Sequence, residues 1–551
     1  METKENVLTL ASIFNETLRK YGKSPAWAFV GEDPINFETA GKYVRSLSAF
    51  LRSAGVEKGD RVAILSTNMP NWAIAYFAIT CMGGVVVPIL PDFSATEVAN
   101  VLGHSGAKAI FVSSGLLNRI EGIKPENLET GILIEDFSMI FSVKDSIKFN
   151  PDLVPSEEYS VEEEDLASII YTSGTTGRSK GVMLTHRNIC FNAKKGKVIQ
   201  SVDENDRFLS VLPLSHTYEN TLGLILPLLG GSCVYYLRKP PTPPVLLPAL
   251  ELIKPTVMLT VPLIIEKIYF NKILPAFTDK RIMRLIYKIP LMRKQLNRIA
   301  GKKLFKTFGG HLKFFGIGGA KLNKTVERFL LEAGFPYAIG YGLTETSPLL
   351  AGANPSKTVF DSTGPAIEGI ELKIHNPDKK TGEGEIWARG ASIMKGYYKE
   401  PEMTAEVLFP DGWFRTGDLG VLDKNNNLFI KGRLKNMIVG ASGENIYPEE
   451  IESVINNFRG VAESLVVQQK GKLVALVHLN MEEIEKRYNI IRQDMSDKAD
   501  KYEERIQELL AELQEYVNSN VNKFSKINKV VLQPVPFQKT ATLKIKRFLY
   551  T

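Results

Sequence analysis

Between Gly41 and about Tyr341 the chain repeats one pattern: an amphipathic stretch, a glycine stop, then a short apolar run. Residues 43–54 followed by 61–65 show it first, and apolar runs at 168–171, 208–212, 257–261 and 313–317 recur between amphipathic segments. Such alternation predicts an α/β class in several layers, sheets of short strands covered by helices. From Ile370 the runs crowd together, at 371–375, 384–389, 420–423 and 428–431, with turn signals at Asp411-Gly412 and at 425–427. That spacing predicts an antiparallel β-rich subdomain over about 370–434. Beyond it the periodicity changes again. A helix opens at Pro448, with Glu449 and Glu450 in its first turn and Ile451, Val454 and Ile455 on one face, before strands at 463–468 and 473–479. A long helical stretch at 481–522 carries one apolar stripe, Ile506, Leu509, Leu510, Leu513 and Val517. The reading is two bodies: a large one over 1–434 and a small α+β one over 435–551.

Two uncharged runs, 73–90 and 221–237, approach the length of a membrane span. Each is cut by a glycine pair (Gly83-Gly84, Gly230-Gly231) and holds a proline (Pro88, Pro227), so each reads as a buried helix, a stop and a short strand. At 551 residues, 44% of them hydrophobic and 23% charged, the chain has globular composition and exceeds what one core can hold. Cys81, Cys190 and Cys233 lie far apart without a CxxC pair, which suits buried, reduced thiols. The first nine residues carry charges and no apolar leader, so the expected location is cytoplasmic. The 239–244 segment, rich in proline, reads as a turn.

The sharpest local signal runs from Tyr171 to Gly181, after one apolar run and before another. Gly174 and Gly177 let several backbone N–H groups converge, Thr172, Ser173, Thr175 and Thr176 add hydroxyls, and Arg178 and Lys180 add charge. That chemistry suits a polyphosphate. It is no Walker A loop, because Ser179 precedes and Gly181 follows Lys180. Nor is 316–319 a dinucleotide fingerprint, since Lys321 stands where the third glycine belongs. Alone the loop would read as a plain turn; its company changes that. Residues 340–348 offer an aromatic face in Tyr341, a hydroxyl in Thr344 and a carboxylate in Glu345 for a hard cation such as Mg²⁺. Asp418 offers a carboxylate for two ribose hydroxyls, with Arg433 near in sequence. Phosphate, base, metal and ribose contacts together point to ATP.

These segments resemble the AMP-forming acyl-adenylate ligases. The resemblance spans nearly the whole chain, through motifs at 171–181, 212–216, 318–320, 341–345, 413–418, 433–438, 443–452 and 539–547. The segments 443–450 and 540–546 are most similar to the bacterial long-chain fatty-acid CoA ligases. The resemblance implies ATP-dependent activation of a fatty acid to acyl-AMP, with release of pyrophosphate, then transfer to coenzyme A. It implies that Tyr341 and Gly342, with Gly318, Gly319 and Ala320, lie along adenine, and that Thr344 and Glu345 serve the α-phosphate and Mg²⁺. Asp418 and Arg433 would hold the ribose, Lys180 and the loop the phosphates, and His216 the mouth of the acyl pocket. Lys544 would bridge carboxylate and α-phosphate, and the small body would act as a lid, hinged at Lys435 and presenting Gly443 to the pantetheine arm. Leu543 stands where many members have Gly, and Asn436 where many have Asp. An acyl-AMP ligase or an acyl-carrier-protein synthetase would share these residues, whereas an ATP-binding regulatory protein without turnover would not need Lys544, Glu345 and Lys180 together.

Charge adds one more expectation. Residues 266–313 hold thirteen Lys or Arg against two acids, so the whole formal excess of +7 gathers there. Ile282, Leu285, Ile286, Ile289, Leu291 and Met292 interleave with Lys280, Arg281, Arg284, Lys288, Arg293 and Lys294. An apolar face beside a cationic one predicts peripheral contact with an anionic membrane on its inner face. Without a binding motif, nucleic acid is not expected.

Overall fold

The structure, a computed structural model, describes residues 7–123, 126–143, 148–152, 159–173, 179–440, 444–481, 484, 499–540 and 545–550. One eight-stranded sheet runs in the order Leu349–Gly352, Tyr337–Gly342, Phe314–Ile317, Val257–Thr260, Arg207–Ser210, Cys233–Tyr236, Pro25–Phe29, Ile35–Asn36. It is parallel except at its two edges. A second runs Gly396–Tyr397, Ser179–Thr185, Leu166–Ser173, Val85–Ile89, Arg61–Leu65, Ala109–Val112, Thr130–Leu133, Met139–Ser142. Its middle is parallel and its flanks antiparallel. Val85–Ile89 is buried at every position, as the β-branched run Val85-Val86-Val87 suits a strand covered on both faces. Between the sheets lies the helix Pro70–Cys81, apolar all round and touching strands of both.

The helix expected from residue 43 begins earlier, at Phe37, because Asn36 accepts the Thr39 N–H (2.8 Å) and caps it. Gly41 falls within its second turn. It sits inside the helix where a Cβ would stand 2.7 Å from Leu18 Cδ1, so the missing side chain is a packing contact. The 239–244 turn ends sooner than expected, since the helix Pro243–Ile253 starts on a proline at its first position. The run 73–90 resolves into helix and strand, and 221–237 into short helical turns and the strand Cys233–Tyr236. Among the described residues no helix is long and apolar enough to cross a membrane.

The crowded runs form a four-stranded antiparallel sheet, Ile370–His375, Gly384–Gly390, Phe414–Leu422, Leu428–Arg433. Past it, Val461–Gln469, Lys472–Leu479 and Lys529–Leu532 make a three-stranded sheet packed by the helices Pro448–Ile455 and Ala499–Asn520. The apolar stripe of the longer helix is buried in that core; part of the 481–522 stretch lies outside the described residues. The hydrophobic clusters divide cleanly. Three draw on residues up to 430 and two on residues from 438 onward. Polar side chains join the two bodies. Lys321 donates to the Ile430 carbonyl (3.0 Å) and lies 3.5 Å from Glu450, and Asn323 Nδ2 donates to Asn457 Oδ1 (2.6 Å). Arg459 pairs with Asp279 (2.9 Å), and the Tyr447 hydroxyl donates to Glu383 (2.8 Å).

Candidate functional site

Strand register places Asp418 opposite Arg433, and the guanidinium Nε lies 3.0 Å from Asp418 Oδ1. The other carboxylate oxygen accepts the Tyr341 hydroxyl at 2.9 Å, across 77 residues of sequence. Burial, with the Asp418 charge beside it, holds the Tyr341 phenol well above its usual range, so it stays a donor. Asp418 in turn raises the Arg433 pKa, a buried carboxylate facing a guanidinium that keeps part of its surface in water.

Tyr341 leads through Gly342 into the short turn Thr344–Thr346 that carries Glu345. The turn is tight: a Cβ on Gly342 would fall 1.8 Å from the Pro348 carbonyl oxygen, so no other residue fits there. Buried Thr346 fastens it, its hydroxyl accepting the Leu343 N–H at 2.9 Å. The Glu345 carboxylate accepts the Tyr397 hydroxyl (2.9 Å), and its carbonyl accepts the Met394 N–H (2.9 Å). Lys180 Nζ stands 4.7 Å over the Tyr397 ring, a cation–π contact. Lys180 pairs in register with Thr172, and Ser173 with Ser179, on the two strands flanking the glycine-rich loop. Arg433 also feels the charge of Glu345, so the two clusters form one region. The sequence reading missed Tyr397. Its only signal was Gly396-Tyr397-Tyr398, since the contact with Glu345 arises from a two-residue edge strand paired with Ser179–Thr185.

Gly318, Gly319 and Ala320 follow the strand Phe314–Ile317, with Gly318 donating to the Thr260 carbonyl (3.0 Å) and Gly319 and Ala320 exposed. The Tyr218 ring lies against Gly318, a second aromatic not anticipated from sequence. His216 immediately precedes the short helix Thr217–Glu219 that carries Tyr218. Beneath it Glu219 is 1% exposed. Its Oε1 accepts from Ser210 (2.6 Å), whose oxygen accepts from Asn68 (2.9 Å), and Asn68 also binds the Leu212 carbonyl and the Leu214 N–H. The chain Glu219–Ser210–Asn68 thus braces the segment ahead of His216. Glu219 Oε2 has no hydrogen-bond partner among the described residues, and burial pushes the carboxyl up to about 8.

Lys435 is exposed in the turn Leu434–Asn436, where Asn436 donates to Glu449 (2.7 Å). Gly174, Thr175, Thr176, Gly177, Gly443 and Lys544 lie outside the described residues. Among those described, no three His, Cys, Asp or Glu residues gather around a metal-sized space. Glu345 would then serve as one protein ligand, which suits Mg²⁺ held mostly by phosphates and water.

A family model described as AMP-binding enzyme matches residues 14–398. Over 498 residues the chain is 30% identical to the Drosophila melanogaster protein named long-chain-fatty-acid–CoA ligase heimdall, covering 81% of this chain and 72% of that one. The long-chain-fatty-acid–CoA ligase of Salmonella typhimurium is 28% identical over 497 residues, covering 83% and 82%. The solved structure of the anthranilate CoA ligase AuaEII in complex with anthranoyl-AMP shares the fold, with a TM-score of 0.78 at 20% identity and coverage of 100% and 98%. Matched over most of its length by the family model, the chain belongs to the AMP-binding enzyme family.

Proposed function

We propose that this protein is an AMP-forming long-chain fatty acid–CoA ligase, using ATP, Mg²⁺ and coenzyme A. The observation that carries the reading is the joined pair of clusters, Tyr341–Asp418–Arg433 and Glu345–Tyr397–Lys180, in a member of this family. Each Asp418 oxygen has two lone pairs, leaving capacity for a ribose diol beside its present partners. Arg433 sets its positive charge against that carboxylate, and Tyr341 with Gly318–Ala320 would border adenine. Thr172 and the loop through Gly177 would donate to the β- and γ-phosphates, with Lys180 adding charge.

Mg²⁺, when bound, draws charge from the phosphate oxygens and so eases departure of pyrophosphate. Glu345 would hold it, oriented by the Tyr397 hydroxyl, with Thr344 facing the α-phosphate. A carboxylate oxygen of the fatty acid attacks the α-phosphorus while the bond to the β-phosphate bridging oxygen breaks. Lys544 would neutralise the charge gathering on the α-phosphoryl oxygens. In the second step the CoA sulfur attacks the acyl carbon, the acyl–phosphate C–O bond breaks, AMP leaves, and the thiol proton passes to solvent. Lys544 has no task in that step. Rotation of the small body about Lys435 would withdraw it and bring Gly443 to the pantetheine arm. The division of hydrophobic clusters on either side of residues 431–437 supports this hinge.

The same reading places the enzyme in the cytoplasm, peripheral on the inner face of a membrane that supplies fatty acid, with residues 266–313 as the contact. Pyrophosphate exchange across acids from acetate to stearate and benzoate tests the function, followed by thioester formation with CoA or with acyl carrier protein. Exchange strongest with long-chain acids, and thioester with CoA, is expected. Exchange confined to acetate or benzoate, or transfer only to carrier protein, would refute it.

A further inference from the structure

The helix Arg281–Lys288, the Ile289 corner and the opening turn of the helix Pro290–Thr307 present three distinct faces. At about 100° per residue, Met283 and Tyr287 share one. That face turns inward: Tyr287 stacks on Phe277 (ring centroids 5.0 Å apart) and donates to Asn297 (2.9 Å). A second face holds Arg281, Arg284 and Lys288. The third holds Ile282 and Leu285, 73% and 59% exposed, with Ile289 beside them. Leu291, 70% exposed, and Met292 extend it into the next helix. The helix already has a core-facing side, so this second apolar stripe has no core to meet. Contiguous exposed Ile and Leu side chains of this kind mark a contact surface.

We propose that this stripe docks on an anionic lipid bilayer, its apolar side chains entering the interface and the cations beside them meeting lipid headgroups. The charges decide the occupant. Nearby acids are spoken for, Asp279 by Arg459 and Glu266 by the Asn323 N–H (2.9 Å). Arg293, which the sequence placed with the surface cations, turns instead to Glu332 (2.7 Å). Lys280, Arg281, Lys288 and Lys294 keep no ion pair among the described residues. A second copy of the chain would bring the same cations and be repelled. A nucleic acid would satisfy the cations and leave the isoleucines and leucines in water. Only a surface both anionic and apolar beneath matches both faces. The proposal deepens the fatty-acid reading, since a bilayer is where long-chain acids reside, while the surface itself rests on its own geometry.

The test is co-sedimentation of the full chain with vesicles of phosphatidylcholine alone and of phosphatidylcholine with phosphatidylglycerol. Two multiple variants accompany it, Ile282→Ser/Leu285→Ser/Leu291→Ser and Lys280→Gln/Arg281→Gln/Lys288→Gln/Lys294→Gln. The wild type should bind the anionic vesicles and be released by salt, and each variant should partition at least about tenfold less. Ligation of octanoate, a water-soluble acid, should stay at the wild-type rate in both variants, showing that the fold is intact. Equal binding to both vesicle types, no binding at low salt, or variants that bind like the wild type would overturn the proposal. So would a wild-type dimer that the serine variant abolishes. Were CoA ligation absent while vesicle binding held, the enzymatic reading would fall and the surface would stand.

Discussion

Replacing Glu219 by Gln removes one titrating group from the interior and changes little else, because amide and protonated carboxyl have nearly the same shape. The side chain is 1% exposed, accepts one hydrogen bond from Ser210 and leaves its second oxygen without a hydrogen bond among the described residues. Burial raises its pKa from 4.5 in an open environment to about 8 in the fold. The folded chain therefore keeps a proton that the unfolded chain gives up between those values, and stability falls as pH rises across that window. At 1.36 kcal/mol per unit the full span corresponds to roughly 4 to 5 kcal/mol, about half of it accrued between pH 6 and pH 8. The neighbouring phenols Tyr218 and Tyr236 are pushed further above their usual range and stay neutral throughout. Urea denaturation of wild type and variant at several pH values isolates the effect, since other groups cancel in the difference. The variant should gain about 2 kcal/mol on the wild type between pH 6 and pH 8. Parallel curves would mean that Glu219 is ionised in the fold or that its surroundings are wetter than the structure shows.

Asp418→Asn should raise the KM for ATP at least about tenfold, because it leaves Arg433 without its charge partner and weakens the acceptor of the Tyr341 hydroxyl; an unchanged KM in pyrophosphate exchange would refute the placement. Tyr397→Phe keeps the ring under Lys180 but frees Glu345, so adenylation should slow about tenfold, the order of a lost hydrogen bond to a charged group, and require more Mg²⁺. A magnesium titration matching the wild type would count against it. Lys544→Ala should abolish formation of acyl-AMP from acid and ATP yet spare thioester formation from supplied acyl-AMP, and equal loss in both half-reactions would break that division of roles. Lys435→Pro should adenylate normally and transfer poorly to CoA, which single-turnover measurement of each step would reveal.

Much of the layered architecture could be read from local pattern, because runs such as Val85-Val86-Val87 are buried whatever their neighbours are. Contacts across the fold could not. Nothing near Arg293 distinguishes it from Lys294; the difference is Glu332, 39 residues away, which takes one guanidinium inward and leaves the next cation in water. The segment 212–220 drew the eye to His216, while Glu219, whose burial depends on Ser210, Tyr236 and the helix above them, looked like any acid in a polar stretch. Tyr341, Asp418 and Arg433 were each singled out, but their mutual contact exists only because two sheets meet at that point. Pattern reports which side chains leave water, and the chemistry of a site depends on which of them then meet.

The seam between the large and small bodies is made of groups that water serves nearly as well as they serve each other: an amide on an amide at Asn323 and Asn457, an exposed ion pair at Arg459 and Asp279, a phenol on a carboxylate at Tyr447 and Glu383. Each such contact is worth about 1 kcal/mol net, because breaking it returns both partners to hydration. Parting these three contacts therefore leaves their donors and acceptors hydrated. In the rotation about Lys435 proposed above, a joint wetted in this way would offer little resistance, so whichever substrate fills the cleft would set its angle.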